Sequence, residues 1–203
     1  MVSAYIYIEG GAVGDHSKSA DIRCREGFRR LLENCGFRTR MPRLVACGGR
    51  DSAFNDFRIA HAQKSSQAFI ALWIDSEEPV SNVEATWKHL SNRDGWTQPI
   101  GTEDDQVLFM TTCMETWIVC DRVALKTHFA AELQESALPP LHNLEARSRQ
   151  EVLNQLMHAS RECSNAYQKG GRSFELLGRL DPQTLSRYLP SFERVLRVLK
   201  ARL

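Results

Sequence analysis

The chain has 203 residues, 42% hydrophobic and 25% charged, with a formal net charge of +1, which is ordinary for a soluble globular protein with a sizeable core. No apolar run is long enough to cross a bilayer, and no basic segment precedes an apolar stretch at the N-terminus, so neither a membrane span nor a signal peptide is expected. The six cysteines form no CxxC pair, which argues against a zinc ribbon and leaves reduced core thiols in the cytoplasm as the expectation.

Residues 4–8 (Ala-Tyr-Ile-Tyr-Ile) read as a buried strand that stops at Glu9-Gly10-Gly11. Gly10, Gly11 and Gly14 suggest a flexible turn. A helix is expected from Ser19 to Cys35, with Phe28, Leu31, Leu32 and Cys35 on one stripe and Gly36 at its end. Residues 43–47 form a second strand, and Asp51 is placed to cap a helix carrying Phe54, Phe57 and His61. The third strand, residues 68–74, stops at Asp75-Ser76-Glu77-Glu78-Pro79. This β-α-β-α-β order calls for a parallel sheet with right-handed crossovers. Val83, Trp87 and Leu90 are spaced as a short helix. A fourth strand is expected over 107–114, ending on Glu115, with Asp121 capping a helix to about Leu133. The chain therefore divides into an α/β domain over 1–135 and a helical extension over 136–203 that packs on its core. In that extension Ser148-Arg149-Gln150-Glu151 is a capping box, Tyr167 to Arg172 a basic loop, and Asp181-Pro182 a helix start. The last stripe runs through Phe192, Val195, Leu196, Leu199 and Leu203.

The strand ends carry the chemistry. Glu9, Asp75 and Glu115 each follow an apolar run. Carboxylates at the rim of an open α/β sheet lie where such folds hold ligands. Gathered carboxylates repel one another unless a cation sits among them. If the third strand continued, Asp75 and Glu77 would share one face. Hard oxygen ligands of this kind suit Mg2+ or Mn2+ and phosphodiester hydrolysis or transfer. His16 is a candidate ligand or base, although a solvated loop histidine is the simpler reading. Lys18, Arg23, Arg50 and Lys169 are candidate phosphate contacts. The charge is segregated: residues 18–50 carry nine Lys/Arg against three Asp/Glu, and residues 75–105 carry eight acids against two bases. A basic stretch of that kind could hold a polyanion over the acids, or simply balance them. No GxxxxGK[ST] or GxGxxG is present, which disfavours nucleotide-loop readings. Trp73 and Trp117 lie in apolar patterns and read as packing residues.

The segments IYIEGG, RMPRLVACGGRDSAFNDF, DSEEPV, RDGWTQP, DDQVLFMTTCMETWIVCDR and YQKGGRSFELLGRLDP resemble the bacterial family called domain of unknown function 4276, over nearly the whole chain. That family is similar to the Toprim fold of topoisomerases, primases and overcoming-lysogenization-defect nucleases. The resemblance implies a Toprim-like α/β sheet of about four parallel strands and a Mg2+- or Mn2+-dependent nuclease acting on DNA or RNA. It also implies a setting beside a partner ATPase in phage-defence or toxin-like systems. By position it makes Glu9 the general base or a metal ligand, Asp75 the first acid of the DxD motif, and Glu77 the second, so that DxD becomes DxE, with Glu78 as a substitute. Glu115 becomes a fourth carboxylate, and Asp121 lies in the same block. Two other functions stay open at this stage. One is a non-catalytic subunit docking on an ATPase through the last helix. The other is a phosphohydrolase of small substrates.

Overall fold

A computed structural model of the protein describes residues 4–11, 17–63 and 68–203. Gly14 and His16 lie outside them. The elements are β1 (Ala4–Ile8), α1 (Ser17–Asn34), β2 (Arg43–Ala46), α2 (Arg50–Gln63), β3 (Phe69–Asp75), α3 (Thr86–Asp94) and β4 (Val107–Met110), followed by α4 (Met114–Cys120), α5 (Arg122–Phe129), α6 (Arg149–Ser160), α7 (Gly171–Leu177), α8 (Pro182–Tyr188) and α9 (Pro190–Arg202). The four strands form one all-parallel sheet in the order β2-β1-β3-β4. From β1 the chain crosses to β2 on one side, then returns past β1 to build β3 and β4 on the other. The switch point therefore falls between β1 and β3, and ligand crevices of open parallel sheets form at the carboxyl ends of such strands.

A parallel sheet needs cover on both faces. On one face Ile70, Leu72, Ile74, Val107 and Phe109 pack with Ala53 and Phe57 of α2 and with Trp87 and Leu90 of α3. On the other, Ile6, Ile8, Ala71, Trp73, Leu108 and Met110 share a core with α1, α4 and the helices from α5 onward. An aromatic chain crosses this second core: Phe28 of α1 meets Trp73 of β3 at 4.9 Å, Trp73 meets Trp117 of α4 at 6.1 Å, and Trp117 meets Phe192 of α9 at 4.9 Å. Trp73 and Trp117 are thus core residues.

Several boundaries differ from the sequence expectation. The fourth strand stops at Met110, and Glu115 lies in the first turn of α4; Thr111 and Thr112, which lie between the two, are buried and β-branched, so in sequence they read as more strand. Asp51 sits inside α2 and does not precede it. The third strand ends at Asp75, and Glu77 adopts a left-handed φ of 68°. The pleat that would have put Asp75 and Glu77 on one face is therefore broken. Asp121 does cap α5, accepting from Ala124 N at 3.0 Å, and its other oxygen accepts from Asp181 N at 2.8 Å, tying α5 to the start of α8.

The terminal stripe is not a free surface. Phe192, Val195, Val198 and Leu199 are buried in the core shared with the sheet. Arg194 is buried as well. It donates to the carbonyls of Val107 at 2.9 Å and Asp104 at 2.7 Å and pairs with Glu84 at 3.2 Å. Deleting 182–203 removes the buried Leu185, Leu189, Phe192, Val195, Val198 and Leu199. At ~1.5–3 kcal/mol per large apolar side chain, that loss is comparable to the whole net stability of a domain, ~5–15 kcal/mol. The truncated chain is expected to lose its cooperative melt in circular dichroism. A truncated chain that melts like the full one would contradict this packing.

Candidate functional site

Glu9 directly follows β1, and its N–H continues the ladder to Trp73 O at 2.9 Å. Asp75 is the last residue of β3. Glu115 stands in the first turn of α4, where the positive helix end favours a carboxylate. The three line one cavity of about 190 Å³ at the carboxyl edge of the sheet, together with Gly10, Lys169 and Ser173. Gly10 has a φ of +144°, and a Cβ there would meet Cys24 Sγ and Phe174 Cζ at 3.0 Å. Only glycine lets the chain leave β1 this closely against α1 and α7.

Each carboxylate is held by one of its oxygens. Glu9 Oε2 accepts from the Asp75 N–H at 3.2 Å and faces Arg50 Nη1 at 3.5 Å. Asp75 Oδ1 accepts from Met114 N at 3.0 Å. Glu115 Oε1 accepts from the Tyr167 hydroxyl at 2.6 Å. Tyr167 spends its proton on Glu115, so it accepts from Ser173 Oγ at 2.6 Å, and Ser173 Oγ accepts from Gly170 N at 3.1 Å. This relay ties the segment carrying Lys169 to Glu115. Among the described residues, Glu9 Oε1, Asp75 Oδ2 and Glu115 Oε2 accept no hydrogen bond.

Burial, followed by repulsion from Glu9 and Glu115, holds the Asp75 carboxyl well above the usual carboxylate range. Burial also raises Glu9, opposed by Arg50 and by the Asp75 N–H. Lys169 and Arg149 act on both acids in the opposite sense. Three carboxylates with one unshared oxygen each are the donor chemistry of a hard divalent cation. As placed, however, no three acidic, imidazole or thiol groups among the described residues gather tightly enough to hold an ion. The fit is one of donor type and not of completed coordination.

The other sequence candidates fall in different places. Glu77 is not part of the cavity wall; its carboxylate contacts Arg149 and stands 3.8 Å from Arg93 Nη2. Glu78 is exposed in a separate groove beside α3. Arg50 is committed: it forks onto Asp94 at 2.9 and 3.0 Å, lies over the Trp96 ring at 5.0 Å and donates to the Asp75 carbonyl. Lys18 and Arg23 are exposed on α1, and Arg23 donates to Ser19 Oγ at 2.6 Å. Lys169 is exposed on the cavity wall. Tyr167, Ser173 and Arg149 were not singled out by spacing. Their signal was the block YQKGGRSF and the capping box, neither of which shows what it faces.

Fold and site together define an open, all-parallel α/β protein with an acidic cavity at its topological switch point. The family model described as Domain of unknown function (DUF4276) matches residues 19–200, and the chain belongs to that family. No curated protein and no solved structure gives a significant match. No helix among the described residues is long and apolar enough to cross a membrane.

The raised Asp75 carboxyl means that the native state binds that proton more tightly than the unfolded chain does. Stability is therefore lost as pH rises above the usual carboxylate range. Asp75→Asn keeps the acceptor for Met114 N and removes this loss. The variant is expected to be more stable than wild type by ~1–2 kcal/mol at about pH 8, with the two converging near pH 4. Thermal melts across pH check this, and an equal or lower stability of the variant at pH 8 would contradict it.

Proposed function

We propose that the chain is a divalent-cation-dependent, Toprim-like nuclease that hydrolyses phosphodiester bonds of DNA or RNA. The observation that supports this best is the buried carboxyl of Asp75 set between Glu9 and Glu115, an arrangement whose repulsion a cation would relieve. In this reading Glu9, Asp75 and Glu115 would hold Mg2+ or Mn2+ through the oxygens that accept no hydrogen bond among the described residues. Bound there, the cation would polarise a phosphoryl oxygen and make an attacking water more acidic.

The chain's own residues supply the rest. Glu9 would present Oε1 to the cation, while Arg50 and the Asp75 N–H fix its Oε2. Lys169 has no ion-pair partner among the described residues and stands on the cavity wall to meet a phosphate oxygen. Tyr167 keeps Glu115 in one orientation. An ATPase partner and a defence role belong to the proposal on the family resemblance alone. The alternative of a docking subunit loses the face that suggested it, because the α9 stripe is buried.

Glu9→Gln is expected to lower Mg2+-dependent cleavage of plasmid DNA or of RNA by ~100-fold or more, with far-UV circular dichroism unchanged. Chelation by EDTA is expected to abolish wild-type cleavage. Cleavage by Glu9→Gln at the wild-type rate would overturn the assignment.

A further inference from the structure

The second acid of the DxE run has a different neighbourhood from the first. Its backbone is held in the left-handed region, with φ of 68°, by the N–H of Glu77 donated to Thr112 O at 2.8 Å. For a glutamate that conformation is strained and persists only where the surroundings impose it. It turns the carboxylate away from the cavity and onto two guanidinium groups from separate elements, Arg93 of α3 and Arg149 of α6. Arg93 is already occupied by Asp94.

Arg149 is the unusual member. It is the first residue of α6, where the positive helix end disfavours a cation. Glu77 supplies the missing counter-charge. Apart from that contact, Arg149 has no acceptor among the described residues, yet its guanidinium carries five donors. Its side chain is 36% exposed. Thr112 ties this corner to the sheet edge, accepting from the Glu77 N–H at its carbonyl and donating its hydroxyl to Arg147 O at 3.2 Å, so the start of α6 sits beside the strand end that carries Asp75, and the Arg149 charge acts on both Glu9 and Asp75. An anion arriving over those carboxylates therefore meets a guanidinium with unused donors, and Arg–phosphate pairing is strong and directional.

We propose that Glu77 is a positioning residue that holds Arg149 beside the strand end carrying Asp75, to contact a phosphate oxygen of the substrate lying over the cavity, and that Glu77 does not ligate the cation. The proposal rests on the reading of this site as a phosphodiester hydrolase. It separates the two acids of the DxE run by role: Asp75 serves the cavity directly, and Glu77 serves it through an arginine.

The test uses the full chain as wild type, Glu77→Gln, Arg149→Ala, Arg149→Lys and the double variant Glu77→Gln/Arg149→Ala. Mn2+ binding is followed by calorimetry. Binding of a labelled DNA or RNA oligonucleotide is followed by fluorescence anisotropy with and without Mn2+, and KM and kcat by cleavage. Glu77→Gln and Arg149→Ala are each expected to weaken oligonucleotide binding and raise KM about tenfold, the scale of one charge-assisted hydrogen bond, with kcat changed less. Mn2+ affinity is expected to stay within about twofold of wild type, and the double variant to bind no more weakly than Arg149→Ala, as required if Glu77 acts through Arg149. Arg149→Lys, which keeps the charge but loses the fork, is expected to fall between the two and serves if Glu77→Gln fails to fold. Loss of Mn2+ affinity in Glu77→Gln would overturn the proposal, as would independent, multiplying effects of the two substitutions. Wild type that binds oligonucleotide but no Mn2+ would overturn the metal reading alone, and the coupling of Glu77 to Arg149 would still be read from oligonucleotide affinity.

Discussion

Asp75 is a carboxyl group buried at the end of the central strand pair, between two other carboxylates, and it is bonded to the backbone that starts α4. The surrounding structure can be understood from that constraint. The β2-β1-β3-β4 order brings Glu9 beside it, and the short β4 brings the first turn of α4, with Glu115, up to the same edge. A protein that wanted only stability would not gather three acids in one cavity. The arrangement is the usual signature of a site where function is carried at some cost to the fold.

The positive charge around the cavity is graded by how firmly it is committed. Arg50 is fully engaged with Asp94, Trp96 and the Asp75 carbonyl, so it fixes the β1–β3 edge and has little left for a ligand. Arg149 has one carboxylate partner, and Lys169 has none among the described residues. The order from fixed to uncommitted cation is also the order from the interior outward. Elsewhere the segregated charge of the chain is spent internally. Arg194 and Arg197 pair with Glu84, and Arg202 pairs with Glu103 and Asp105. The basic residues of α9 thus answer the acidic 75–105 segment; Arg194 does so from a buried position, and the exposed Arg197 and Arg202 pairs contribute little each.

Strand and helix order was legible because the buried strands of this sheet are short apolar runs separated by clear turn residues, as in Ala4–Ile8 and Phe69–Asp75. The end of β4 was not, because Val107 to Cys120 is buried throughout, Thr111 and Thr112 included, and a fully buried strand and a fully buried helix look alike in such a run. Glu9 and Asp75 were visible as acids ending apolar runs. The separation of Glu77 from Asp75 was hidden, since it depends on a single left-handed residue that composition does not announce. Residues 167–172 read as a loop because of Gly170 and Gly171, although α7 already starts at Gly171. That Tyr167 reaches across 52 positions to Glu115 is tertiary information that local pattern does not carry. The helices from α6 onward, expected as an extension packed on the α/β domain, share one continuous core with the sheet.

The central claim is that Glu9, Asp75 and Glu115 close around a divalent cation at the sheet edge. Anomalous diffraction from crystals soaked in Mn2+ tests it most directly. The account predicts one peak or a pair of peaks within coordination distance, about 2.0–2.6 Å, of oxygens from Asp75 and Glu9, with Glu115 adjacent and Glu77 still on Arg149. Mn2+ bound elsewhere, with the three carboxylates unmoved and unliganded at saturating metal, would contradict it.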